Sequence, residues 1–194
     1  MFTRTLRPAL VLFALLTALT GLAYPLAVTG IGRLLFPAQA NGSLVERDGK
    51  IVGSMLVGQR FAEPRHVWSR PSATAPMPNN GGASGGSNLG PLNPALVEAV
   101  QGRIDALRAA DPGNTAPVPI DLVTASGSGL DAHVSVAAAR YQAGRVARAR
   151  GVPVAAVQQA IDAHVEGRWL GLFGEPRVNV LRLNLALDAA GTGR

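Results

Sequence analysis

A run of 25 residues without a charge, 8–32, constrains this chain more than any other feature. At about 1.5 Å per residue a helix of that length reaches roughly 37 Å, more than the ~30 Å of hydrocarbon in a bilayer. Leu10, Val11, Leu12, Phe13, Leu15, Leu16, Leu19, Leu22, Leu26, Val28 and Ile31 fill it. They leave no polar face of the kind an amphipathic surface helix needs, so the run is expected to span a membrane. Arg4, Arg7 and the terminal amine precede it, and only Arg33 follows closely. Basic residues stay preferentially on the cytoplasmic side, which places residues 1–7 inside and 33–194 outside. The rival is a cleaved signal peptide with its small-residue site at Ala38-Gln39-Ala40, which would release an exported binding protein. A signal peptide's apolar core is typically ~7–15 residues, and this run is longer and carries Tyr24 and Pro25 in its middle.

The absence of cysteine suits an export compartment, since a domain of this size can bury enough apolar surface without disulfides. Setting aside Arg4, Arg7 and Arg33 leaves 15 of the 18 basic residues against 12 acids, only +3 for the domain. Such a balance does not indicate a nucleic-acid partner.

Downstream the pattern is α+β: one N-terminal transmembrane helix, then a single mixed domain of short strands and about three helices, without internal repeats. Strands at 43–47 and 50–57 flank Asp48-Gly49, a hairpin signal because both central positions favour positive φ. Residues 63–94 hold six prolines and a glycine cluster, and read as a long irregular loop anchored by Phe61, Val67 and Trp68, with a mobile tip. Asn93 caps a helix with Pro94 in its first turn and Leu96, Val100, Ile104 and Leu107 on its inner face; Asp111-Pro112-Gly113 stops it. A strand is expected at 120–124, a helix from Ser135 to near Gly151, and a third helix opened by Pro153 with Val154, Val157, Ile161 and Val165 buried. Residues 177–188 change parity, which fits either a bulged strand or a strand running into a helix.

Several clusters invite chemical readings. The glycine-rich stretch 84–90 lacks the Gly-Lys-Ser/Thr of a phosphate loop and reads as a turn. Ser126 and Ser128, with Asp131 and His133, offer the parts of a serine hydrolase, but no Gly-x-Ser-x-Gly elbow surrounds either serine. Asp131, His133, His164 and Glu166 make up a zinc-sized ligand count whose convergence the spacing does not establish, and His66 reads as a loop residue. Arg140, Arg145, Arg148 and Arg150 are expected on a solvated helix face, with docking of an acidic partner as the alternative. Ala14, Thr17, Ala18, Thr20 and Gly21 are small enough for close approach of another transmembrane helix.

Taken together, certain segments carry a more specific likeness. Arg7-Pro8-Ala9-Leu10, Tyr24-Pro25 and Phe36-Pro37-x-Gln39-Ala40-Asn41-Gly42-Ser43-Leu44 come first. Gly58-Gln59-x-Phe61, Arg70-Pro71-Ser72-Ala73-Thr74 and the stretches 83–91, 121–131, 174–181 and 183–188 follow in order. The chain resembles the C subunit of the Kdp potassium-transporting ATPase over nearly its whole length. The resemblance implies an accessory subunit, without catalytic residues of its own, in a bacterial inner-membrane complex with a periplasmic C-terminal domain. Its partners would be a P-type ATPase catalytic subunit and a potassium-channel-like subunit. It further implies a catalytic chaperone that raises the ATPase subunit's affinity for ATP, through a glutamine matched here by Gln142 in Tyr141-Gln142-Ala143-Gly144-Arg145. ATP is cytoplasmic and the charge asymmetry puts residue 142 outside, so both hold only if the effect is indirect or the orientation is reversed.

Overall fold

The computed structural model describes residues 2–191. Met1 and 192–194, the extreme ends of the expected cytoplasmic tail and outer domain, lie outside the described residues. The chain divides into two compact units, Met1–Leu44 and Val45–Arg194.

The first unit is helical. Helix α1 (Phe2–Ala18) passes through a π turn (Leu19–Ala23) into α2 (Tyr24–Leu35), and a short α3 (Pro37–Ala40) follows. From Arg4 to Leu35 this helix is long and apolar enough to cross a membrane, and none of that span is buried within the chain. The π turn has a cause in the sequence. Pro25 has no N–H to offer the carbonyl four residues back and its ring crowds that turn, so the preceding turn widens. The Tyr24 N–H accordingly reaches the Leu19 carbonyl.

The second unit begins with a hairpin of β1 (Leu44–Arg47) and β2 (Lys50–Ser54). Its turn is the expected one, with Asp48 at φ 53° and Gly49 at φ 73°. The second strand ends at Ser54 rather than at 57. Helix α4 (Pro94–Ala110) starts where Asn93 Oδ1 accepts the Ala95 N–H at 3.0 Å. A three-stranded antiparallel sheet, β3 (His133–Ser135), β5 (Arg177–Asn179) and β4 (Val165–Glu166), has β5 at its centre. Val178 pairs with Val134 on one side and Val165 on the other, forming an apolar row. Against the sheet lie α5 (Val136–Tyr141) and α8 (Val180–Gly191), and α6 (Ala143–Arg150) and α7 (Val154–Ala163) pack on these helices and on each other. Small side chains dominate the shared core: Ala138, Ala139, Ala143, Ala147, Val146, Val157, Ile161 and Leu183 are almost fully buried.

Three expectations are corrected here, and one open alternative is decided. The strand at 120–124 is a 3-10 turn, Ile120–Leu122, with Ile120 exposed. Pro117 and Pro119 remove ladder donors just before it, and both the N–H and the hydroxyl of Thr124 bond the Ile120 carbonyl, closing a local turn in place of a ladder. The long helix from Ser135 is broken at Gln142. Val154 faces solvent at the start of α7 and Val165 lies beyond the helix, half-buried in β4, while Val157 and Ile161 are buried as expected. The last segment takes the strand-into-helix option, β5 into α8. Strands β3 and β4, three and two residues long, were too short to leave a readable pattern.

Candidate functional site: a backbone segment held by buried side chains

Gln142 leads to the most unusual part of the domain. It is 1 % exposed, and both ends of its carboxamide grip one residue of the irregular loop. Oε1 accepts the Trp68 N–H at 2.8 Å, and Nε2 donates to the Trp68 carbonyl at 3.1 Å. The same Nε2 donates to the Ala138 carbonyl at 3.2 Å, and Arg145 Nη2 donates to Oε1 at 2.7 Å. This arrangement explains the helix break. In a regular helix the Ala138 carbonyl would take the Gln142 main-chain N–H; here the side chain bonds it, and the main-chain N–H turns to Ala139.

Asn184 of α8, also 1 % exposed, repeats the grip one residue earlier. Its Oδ1 accepts the Val67 N–H at 2.8 Å, and its Nδ2 donates to the Val67 carbonyl at 2.9 Å. Arg145 Nη1 donates to the Pro64 carbonyl at 2.7 Å, and Arg150 Nε to that of Arg65 at 2.7 Å. Four side chains from the helices thus bond the main chain of residues 64–68, as a neighbouring strand would. The ring of Trp68 covers Arg145, whose Cζ lies 4.1 Å from the ring centroid. Burial lowers the Arg145 guanidinium to about 10, so it stays cationic at neutral pH.

The basic helix is therefore not one solvated face. Arg140 and Arg148 are largely exposed and pair with Asp162 and Asp111. Arg145 and Arg150 point inward, because the loop supplies carbonyl acceptors that no helix-face pattern could anticipate. Arg150 also donates to Asp188 at 2.8 Å, where Arg65 and His66 converge at 3.1 and 3.6 Å. Burial alone would raise Asp188; the Arg150 hydrogen bond and the surrounding positive charges outweigh it and hold the carboxyl below its usual range.

The remaining loop is fastened to the turn at 126–131. Ser72 Oγ donates to the Gly129 carbonyl at 2.7 Å and accepts the Asn79 N–H at 2.9 Å. The Gly85 N–H bonds the Ser128 carbonyl at 2.8 Å, and the Gly58 N–H bonds that of Leu130 at 2.8 Å. Gly129 sits at φ 67°, where a Cβ would fall 2.6 Å from Thr74 Cγ2 and 2.7 Å from the Gly85 carbonyl oxygen. Beside the held segment, a cleft of about 410 Å³ is lined by Arg60, Phe61, Trp68, Arg70 and Arg103. Arg70 is engaged by Asp131 at 3.0 Å and Arg103 by the Val123 carbonyl at 2.7 Å.

The other candidate clusters fare differently. Ser126 Oγ accepts the Gly129 N–H at 2.9 Å, and no serine hydroxyl bonds a histidine among the described residues. His133 lies between carboxylates, Nδ1 3.6 Å from Asp131 and Nε2 3.4 Å from Glu166. His164 does not join them; its Nδ1 is 2.7 Å from the Ala160 carbonyl oxygen. Among the described residues no three His, Asp or Glu side chains are arranged to hold a metal ion. The His133 hydrogen bond, helped by Arg70, lowers Asp131 to about 2. Asn184 went unnoticed in the sequence, and the two inward arginines were read as solvated. The signal for Asn184 was a polar residue within an apolar helical run, Leu183-Asn184-Leu185.

The hydrogen-bonding capacity of the Gln142 carboxamide is used within the chain. A carboxamide offers two donors and two acceptor positions, and Trp68, Ala138 and Arg145 take all four.

One helix long and apolar enough to cross a membrane, followed by a small mixed domain, is the make-up of a membrane-anchored protein. The family model for KdpC, described as the K+-transporting ATPase c chain, matches residues 6–189. A potassium-transporting ATPase KdpC subunit of Polaromonas naphthalenivorans is 71% identical, over 95% of this chain and 94% of its own length. One from Variovorax paradoxus is 66% identical over 97% of this chain and 98% of its own. Another, from Sorangium cellulosum, is 65% identical over 95% and 97%. The chain belongs to the KdpC family of potassium-transporting ATPase subunits.

Proposed function

We propose that this chain is a non-catalytic accessory subunit of an ATP-driven potassium pump, assembling with a P-type ATPase subunit and a potassium-channel-like subunit. Within the helix Arg4–Leu35, the charge-free run 8–32 crosses the inner membrane with the N-terminus cytoplasmic, and the chain from residue 33 onward stands in the periplasm. Arg4 and Arg7 before the span, against Arg33 after it, support that orientation. The small residues Ala14, Thr17, Ala18, Thr20 and Gly21 give the helix a surface that packs against the pump's own spans.

The chain raises the nucleotide affinity of the ATPase subunit through assembly and not by touching ATP. The observation that carries this reading is the complete internal use of the Gln142 carboxamide. A reporter enzyme fused after Arg194 tests it. Activity only in a periplasm-dependent reporter is expected, and activity in a cytoplasm-dependent one would overturn the orientation and reopen direct contact. Binding of ATP to the purified full chain, lost on Gln142→Ala with folding intact, would overturn the indirect mechanism by itself.

A further inference from the structure

The ten residues between β4 and β5 contain the turn Trp169-Leu170-Gly171-Leu172-Phe173, none of which belongs to the buried core of the described residues. Trp169 and Phe173 bond each other's main chains at 2.9 and 3.0 Å, and their rings lie 5.6 Å apart. Leu170 at φ 52° and Gly171 at φ 73° make the reversal, with a leucine held in a conformation that disfavours it. Trp169, Leu170, Leu172 and Phe173 are 69%, 72%, 77% and 59% exposed. Together they present on the order of 500 Å² of apolar surface on one five-residue tip, the size of the largest patch on a typical monomer.

Below the tip the charges cancel. Arg168 holds both oxygens of Glu175 at 2.9 and 2.7 Å, and Arg177 Nε meets Glu166 at 3.2 Å. A lipid headgroup surface recruits apolar fingers through an excess of unpaired basic side chains, which this stem lacks. Self-association through the tip would bury on the order of 1,000 Å² over both copies, below the ~1,200–2,000 Å² of a stable dimer. An aromatic anchor above paired charges that leave no net charge beside it is instead the composition of an interface hot spot.

We infer that the 169–173 tip is a docking finger that inserts into an uncharged apolar pocket on another chain of the pump. This rests on the reading of the chain as a pump subunit. Leu172→Asp and Trp169→Ser, each in the full chain co-expressed with the other pump chains, are compared with wild type and with Val97→Asp, a charge placed at an exposed apolar position on α4. Wild type and Val97→Asp co-purify the ATPase chain, while the two tip variants lose its recovery at least ~tenfold. Undiminished recovery with both tip variants overturns the finger alone. Failure of wild type to recover the ATPase chain overturns the subunit reading and the finger with it.

A second measurement uses the absence of cysteine from the chain. Leu172→Cys is labelled readily by a maleimide in the isolated full chain and slowly in the assembled pump. Protection of that thiol in lipid nanodiscs holding this chain alone would overturn the proposal in favour of a lipid contact.

Discussion

Two irregular stretches of this domain have opposite compositions and opposite fates. Residues 63–94, rich in proline and glycine, have the composition of a disordered linker, yet their main chain is bonded by Gln142, Asn184, Arg145 and Arg150 and fastened to Gly129. The tip at 169–173, rich in Trp, Leu and Phe, has the composition of a core, yet stands exposed. The difference teaches that order in a loop follows from where its peptide groups find partners, and not from its own hydrophobicity. A segment without a strand beside it can be held by carboxamides that imitate one, since a side-chain amide carries the same donor and acceptor as a peptide. An apolar turn left exposed by the described residues of its own chain is the surface on which the docking proposal rests.

Substitutions at the clamps should break the comparison most severely. Gln142→Ala leaves the Trp68 N–H and carbonyl, and one hydrogen of Arg145, without partners in a buried setting. At roughly 1–3 kcal/mol per unsatisfied group, discounted for relaxation, a loss of about 2–4 kcal/mol is expected. Asn184→Ala should cost a similar amount, and the double variant should fall short of the sum because both act on one segment. Urea unfolding of the full chain in detergent measures all three.

Gly129→Ala comes next. It adds a Cβ against Thr74 and the Gly85 carbonyl at positive φ, and should cost about 2–3 kcal/mol. Gly171→Ala, also at positive φ but with open space around it, should cost only about 1 kcal/mol. Equal losses at the two glycines would mean that the loop is not fastened at Gly129.

Acid should loosen the fastened side before the exposed one. Asp131 is lowered from its ordinary 3.8 to about 2 in the folded chain. Its contribution is therefore complete above pH ~4 and fades as pH falls from ~4 to ~2, because the unfolded chain takes up the proton first. With solvent screening of a partly exposed carboxylate the loss is about 1–2 kcal/mol, and Asp131→Asn should remove that part of the pH dependence. The smallest effect belongs to the tip. Leu172→Ser should leave stability within ~0.5 kcal/mol of wild type, since no folded contact is lost.

What the sequence made legible follows from the range of each signal. The charge-free run, the Asp48-Gly49 turn and the Asn93 and Ser135 caps are local, and all were readable from neighbouring residues. The family likeness was equally readable, because its segments lie in order along the chain. Residues that act at a distance were not. Gln142 was singled out only through the resemblance, and nothing near it announces a partner 74 residues away. Arg145 sat in a basic run whose simplest reading was solvent, and its burial depends on carbonyls 81 residues earlier. Strands β3 and β4 exist only because β5 pairs with both, a condition no window around residue 133 or 165 contains.

Amide hydrogen exchange at Trp68 in the full chain, with and without ATP, tests the central claim most directly. The account predicts slow exchange that ATP does not alter and that becomes fast in Gln142→Ala while helix α7 stays protected. Fast exchange at Trp68 in the wild type, or protection that changes when ATP is added, would contradict it.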